Sequence, residues 1–108
     1  MKVLIAGDFC PQNRVEKLFQ SKQFNEVLGE VKPIVEQVDY AIVNLECPVC
    51  QGEERPILKC GPRLKCDFSG MEAIKWAGFD CVTLANNHFL DYGEEGVKNT
   101  LDTEKIMA

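Results

Sequence analysis

The sequence contains a single histidine, His88, and no apolar run longer than four residues. A run of that length cannot span a bilayer, and the N-terminus does not show the long apolar core and cleavage site of a secretory signal. Twelve basic residues against 17 acidic ones give a formal net charge of −5, so no basic footprint for nucleic acid is present. The sequence therefore predicts a cytoplasmic protein with no membrane span and no nucleic-acid partner.

Glycine-rich phosphate loops, internal repeats and low-complexity tracts are also absent. What remains is ordinary globular composition, with 45% apolar and 27% charged residues in a chain of 108. That length suffices for one small domain and not for two. We therefore expect a single domain over residues 1–108.

Apolar runs of strand character alternate with stretches of helical spacing. The strands are predicted at 2–7, 39–45 and 79–85, the first of them buried. Helices are predicted at 14–38, with an interruption at Gly29 or Pro33, at 68–77 and from Glu94 onward, whereas 47–66 has no clear period and is predicted to be a long loop. This alternation is typical of an α/β fold with a small, mainly parallel sheet and flanking helices.

Polar side chains follow each predicted strand. They are Asp8 after the first, Asn44 and Glu46 at the end of the second, and Asn86, Asn87, His88 and Asp91 after the third. Ligands of open parallel sheets bind outside the carboxyl ends of the strands. Carboxylate, amide and imidazole groups suit divalent Mn, Fe, Mg or Zn. The alternative interpretation is that these are ordinary turn and helix-capping residues.

Three segments carry a family resemblance. They are Gly7-Asp8, Asn44-Leu45-Glu46, and residues 77–93 with the sequence AGFDCVTLANNHFLDYG. Together they resemble the CapA family, which is associated with bacterial capsule and poly-γ-glutamate synthesis and is related to the calcineurin-like metallophosphoesterases. The resemblance implies the N-terminal half of a metallophosphoesterase-like α/β sandwich.

The resemblance also implies roles for individual residues. Asp8 would be a terminal ligand of a first metal, Glu46 would bridge two metals, and Asn87 would bind the second. His88 would face the leaving group, oriented by Asp91. Two cations can clamp a phosphoryl-type oxygen and activate a water molecule. The implied substrate is an anionic polymer or a phosphoester, and the implied cofactor is one divalent metal ion or two.

Two departures from the related enzymes affect this expectation. Many metallophosphoesterases have a histidine two residues after the first aspartate, where this sequence has Cys10, either a thiolate ligand or a buried apolar residue. The superfamily also takes metal-binding histidines from its second half, and no histidine follows His88. We therefore expect the C-terminal half of the domain to be absent, the metal site to be incomplete and this chain to be inactive as a hydrolase.

Four thiols lie in the predicted loop, at Cys47, Cys50, Cys60 and Cys66. Their spacing leaves three interpretations open, namely unliganded reduced thiols, a zinc-thiolate site and a redox pair. The same loop carries a basic cluster of Lys59, Arg63 and Lys65, which is either a solvated face or a means of steering an anionic substrate.

A non-enzymatic alternative follows from the predicted sheet. Three parallel strands leave unpaired backbone groups at the sheet edges. The sequence therefore also allows an interaction module that forms a homo-oligomer through an exposed sheet edge.

Overall fold

The structure is a computed structural model that describes the backbone of residues 1–107 and the side chains of residues 1–104. In this part of the chain, strands and helices follow one another in the order β1 (Val3–Phe9), α1 (Asn13–Gln20), α2 (Phe24–Leu28), α3 (Lys32–Glu36), β2 (Tyr40–Leu45), α4 (Phe68–Ala77), β3 (Cys81–Thr83) and α5 (Gly93–Met107).

The three strands form one parallel sheet in the order β1-β2-β3, with β2 at the centre. The predicted α/β class and small parallel sheet are therefore confirmed. β3 is shorter than the predicted strand at 79–85, because it pairs with β2 only opposite Ile42, Val43 and Asn44. Since all three strands run in one direction, their carboxyl ends meet at one edge of the sheet.

Helix α4 begins and ends where its sequence predicts. The Asp67 carboxylate caps its N-terminus by accepting a hydrogen bond from the Ser69 amide (3.0 Å). Gly78 ends the helix in the left-handed region, at φ 98°, where a glycine is favoured because it has no Cβ. Met71 and Ile74 on its buried face pack against the sheet.

The predicted helical stretch at 14–38 consists of three short helices. α1 and α2 are separated by a turn in which Lys22 has a φ of 63°. Gly29 follows the end of α2, and Pro33 lies in the first turn of α3, where its missing N–H has no helical partner in any case. None of the described helices combines the length and the apolar character that crossing a membrane requires.

The core has two parts. Val43, Leu45 and Val49 pack with Met71 and Ile74 between the sheet and α4. A second, aromatic part links α1, α2 and α4 to β1. Phe19 stacks on Phe9 and contacts Phe24, and Phe24 contacts Trp76 of α4 (ring centroids 6.0, 5.7 and 6.0 Å apart). These packing contacts fix the position of the strands relative to the helices.

One face of the sheet is open. Side chains of a strand alternate between faces, and on this face Val3 and Ile5 of β1 are 49% and 76% exposed, with Tyr40 of β2 exposed beside them. The prediction that the first strand is buried was therefore wrong. Its apolar, β-branched sequence is typical of a strand covered on both faces, but here it is covered on one.

The segment 47–66 is a long loop, as predicted, with a single parallel bridge between Val49 and Cys66. Glu54 anchors its middle, since the buried carboxylate accepts hydrogen bonds from the amides of Gln51 (2.7 Å) and Gly52 (2.9 Å) and from Asn99 of α5 (2.5 Å). Burial raises the pKa of Glu54, but these hydrogen bonds outweigh it and lower the pKa to about 2. The loop is thus held by an ionised side chain.

We expect Glu54→Gln to lower the free energy of unfolding by about 1–3 kcal/mol, because hydrogen bonds to a charged acceptor are lost. Since the folded-state pKa is lowered from 4.5, the stabilisation is complete above that pH and is lost as the pH falls toward about 2. Urea unfolding of the variant should therefore show a flatter acid dependence. The matched control is Glu53→Gln at the exposed neighbouring position, and equal stability of the two variants would contradict this role.

Candidate metal site at the carboxyl edge of the sheet

A β-bulge aims Asp8 at the open face. Ile5 pairs with Ile42 and Asp8 with Asn44, so β1 advances by three residues where β2 advances by two. Because side chains alternate, this extra residue places Asp8 on the same face as Ile5 and beside Asn44. Without the bulge, the carboxylate would point to the opposite face.

A chain of hydrogen bonds then joins the ends of the three strands. The Asn44 side chain donates to Asp8 Oδ1 (2.7 Å), and its Oδ1 accepts from Thr83 Oγ1 (2.9 Å) and Asn86 Nδ2 (3.2 Å). Asp8 belongs to β1, Asn44 to β2 and Thr83 to β3. The predicted convergence of the strand ends is therefore present in the polar network itself.

Asp8 and Glu46 form a pair of interacting carboxyl groups. Hydrogen bonding from Asn44, and then from Glu46, lowers the pKa of Asp8. The pKa of Glu46 is raised, mainly by the interaction with Asp8 and also by burial. The electrostatic effect of His88 lowers it. The two pKa values are thus moved apart, as expected for neighbouring carboxyl groups that each disfavour the charge of the other.

Asn86 shapes the turn after β3. Its Nδ2 also donates to Leu45 O (2.9 Å), which ties this turn to the end of β2, and its Oδ1 accepts from the amide of His88 (3.0 Å). Asn87 is exposed on the same turn. The hydrogen-bond network of Asp8 thus reaches Asn86, and the ligand role of Asn87 stays a prediction.

His88 and Asp91 are in contact, and the contact is buried. His88 Nδ1 lies 2.7 Å from Asp91 Oδ2, and Asp91 also accepts from Lys59 Nζ (2.5 Å) and the Leu64 amide (2.7 Å). Burial raises the pKa of Asp91, but hydrogen bonds from Lys59, Leu64 and His88 outweigh it, so the pKa is lowered. Asp91 is therefore an ionised acceptor for the imidazole.

Sequence reasoning missed the role of Lys59. The residue was assigned to a basic cluster with Arg63 and Lys65, whereas its ammonium group pairs with Asp91. Lys65 instead lies over the ring of Tyr92, 5.1 Å from its centroid, and Arg63 donates to the carbonyl of Ile57. No sequence signal distinguishes Lys59 from its neighbours, because the loop has no period that would place it.

The cysteines differ in their surroundings. Cys47, Cys50 and Cys66 are buried, Cys10 is half-buried beside Cys47, and Cys60 is exposed. Contact with Cys47, and then burial, raises the pKa of the Cys10 thiol, and burial raises that of Cys50 to about 12. Neutral thiols packed in this way are typical of core residues.

The carboxyl edge offers oxygen donors. Within the residues whose side chains are described, no three His, Cys, Asp or Glu side chains are grouped to hold a metal ion. Carboxylate oxygens such as those of Asp8 and Glu46 are the donors that a hard divalent cation such as Mn²⁺ or Mg²⁺ prefers. Asp8 and Glu46 would supply only part of the coordination of such an ion, and the remainder would come from water or from other groups.

Comparison with known proteins identifies the family. Residues 2–106 match the family model described as bacterial capsule synthesis protein PGA_cap. The chain belongs to the PGA_cap family. It is 29% identical over 107 residues to the capsule biosynthesis protein CapA of Bacillus anthracis, and 30% identical over 95 residues to the PGA biosynthesis protein CapA of Bacillus subtilis (strain 168).

The matches cover 97% and 88% of this chain but only 26% and 25% of the two Bacillus proteins. The chain thus spans about a quarter of the length of these PGA_cap relatives. The predicted resemblance to the CapA family, which was based on the strand ends and on residues 77–93, is confirmed.

Proposed function

We propose that this PGA_cap chain contributes a divalent-metal site to a protein of capsule or poly-γ-glutamate biosynthesis. The substrate of that protein would be an anionic polymer or a phosphoester. Asp8, Glu46 and Asn87 would hold the metal, one ion or two, of the Mn, Fe, Zn or Mg class. The observation that carries the proposal is the position of Asp8, hydrogen-bonded to Asn44 at the edge where the three strands end, with Glu46 directly after the last residue of β2. A cation there would relieve the repulsion between two ionised carboxylates.

The metal site and the His88–Asp91 pair would have different roles in the reaction. A bound divalent ion supplies charge stabilisation and a more acidic water. His88, with Nδ1 held by Asp91, keeps Nε2 available to exchange a proton with a leaving group. Because no histidine follows His88, further imidazole ligands would have to come from outside this chain. We therefore expect the 108-residue chain to bind metal weakly and to be inactive on phosphoesters by itself.

Metal binding by the chain tests the proposal. Equilibrium dialysis against Mn²⁺, followed by elemental analysis, should show saturable binding that falls at least about tenfold in Asp8→Asn and in Glu46→Gln, since each variant removes one carboxylate donor. Asp102→Asn, at an exposed position on α5, is the matched control and should bind as the wild type does. Unchanged Mn²⁺ binding in both site variants would contradict the proposal.

Self-association is a second candidate function, favoured by the exposed apolar side chains of Val3 and Ile5 on β1, which is also an edge strand. Such an edge can pair with another copy of the chain. We expect the sedimentation coefficient to rise with concentration, and Ile5→Lys to abolish that rise. The control is Leu58→Lys, because Leu58 is 96% exposed on the loop. A wild-type chain that stays monomeric at all concentrations would exclude this function.

A further inference from the structure

The loop 47–66 donates several hydrogen bonds to Asp91, the residue that contacts the His88 imidazole. Three groups from its second half converge on Asp91: the Ile57 amide donates to the Asp91 carbonyl (2.9 Å), the Leu64 amide to Oδ2 and Lys59 Nζ to Oδ1. Asp91 is 0% exposed. A buried carboxylate needs all its partners, since an unpaired charge in the interior is strongly disfavoured.

The two carboxylate oxygens of Asp91 have different partners. Oδ2 faces His88 Nδ1 and the Leu64 amide, whereas Oδ1 faces Lys59 alone among the contacts of the described residues. Rotation of the carboxylate would take Oδ2 away from the imidazole. Lys59, by binding Oδ1 in a charge-assisted hydrogen bond, opposes that rotation.

We propose that Lys59 is a positioning residue that fixes the His88 imidazole, through Asp91, with its proton on Nδ1 and with Nε2 free. Asp91 is ionised and can only accept hydrogen bonds, so the imidazole nitrogen that faces it must carry the proton. The state of the imidazole follows from the contacts of Asp91 with His88, Lys59 and the Leu64 amide and does not depend on a metal. Its use as a proton donor or acceptor toward a substrate rests on the proposed function.

The tautomer of His88 can be read directly. Because His88 is the only histidine, long-range ¹H–¹⁵N correlation spectra of the metal-free chain contain one imidazole. The spectra would be recorded near pH 8.5, about two units above the ordinary pKa of histidine. The wild type should show one neutral form protonated on Nδ1. A wild-type imidazole protonated on Nε2 would overturn the proposal without any variant.

Three variants separate positioning from a general effect of charge. Lys59→Met should lose the single Nδ1–H form and show ¹⁵N shifts averaged between two tautomers. Lys59→Arg keeps the charge and the donors and should restore the wild-type spectrum. Lys65→Met removes the same charge from the same loop but not from Asp91, and should leave the imidazole unchanged.

Folding is checked in each variant by the dispersion of the amide spectrum. Should Lys59→Met fail to fold, Lys59→Ala takes its place, because it also removes every side-chain donor to Asp91 Oδ1. A folded Lys59→Met or Lys59→Ala chain that retains a single Nδ1–H form would overturn the proposal. Since no metal is added, failure of metal binding and failure of this inference are observed independently.

Discussion

Replacement of Asp91 by alanine is expected to lower the free energy of unfolding by about 3–5 kcal/mol, the usual effect of removing one partner of a buried ion pair. The substitution leaves Lys59 without its counter-ion and removes the acceptor for His88 Nδ1 and the Leu64 amide. Because small domains are stable by only about 5–15 kcal/mol, the urea midpoint should fall by a large fraction.

Acid sensitivity should change together with stability in this variant. Since the pKa of Asp91 is lowered in the folded state, its contribution is present above the unfolded-state pKa and is lost as the pH falls through the folded-state value. Asp91→Ala should therefore remove part of the acid dependence of unfolding. Asp102→Ala, at an exposed position, should stay within about 0.5 kcal/mol of the wild type. Equal stability of the two alanine variants would contradict a buried, charged role for Asp91.

Phe19→Ala is the second substitution with a large expected effect, a loss of about 3–5 kcal/mol. Phe19 is fully buried, stacks on Phe9 of β1 and contacts Phe24 of α2 in a tilted arrangement. Truncation therefore leaves a cavity in the core. Phe68→Ala is the matched control, since Phe68 is 39% exposed. Thermal and urea unfolding of both variants measure the loss of unfolding free energy. Similar losses in the two variants would contradict the expected contribution of Phe19 to stability.

The elements that could be predicted well have local signals at both ends. Helix α4 has a capping aspartate at Asp67 and a left-handed glycine at Gly78, and its predicted bounds are those observed. The strand bounds were less accurate. β1 continues to Phe9, beyond the predicted end at Gly7, because pairing with β2 resumes after a bulge, and no local sequence signal announces that bulge.

The sequence indicated which residue types lie at the carboxyl ends of the strands, but it did not indicate the contacts that they make. Parallel strands bring their ends together by topology, so the strand pattern predicted that Asp8 and Asn44 lie at one edge of the sheet. The contact between them depends on the bulge in β1, which the pattern did not predict. The contact of Lys59 with Asp91 spans 32 residues and joins an irregular loop to a turn. Hydrophobic periodicity carries no information about such a contact, because neither partner belongs to a regular element at that point.

The most direct test of the central claim, that the strand ends form a cation site, is paramagnetic broadening of NMR signals by substoichiometric Mn²⁺. We predict that the amides of Asp8 and Glu46 and the single imidazole of His88 broaden first, while amides of α2 stay sharp. Broadening centred on the exposed pair Glu94 and Glu95 of α5, or spread evenly over the chain, would contradict the claim.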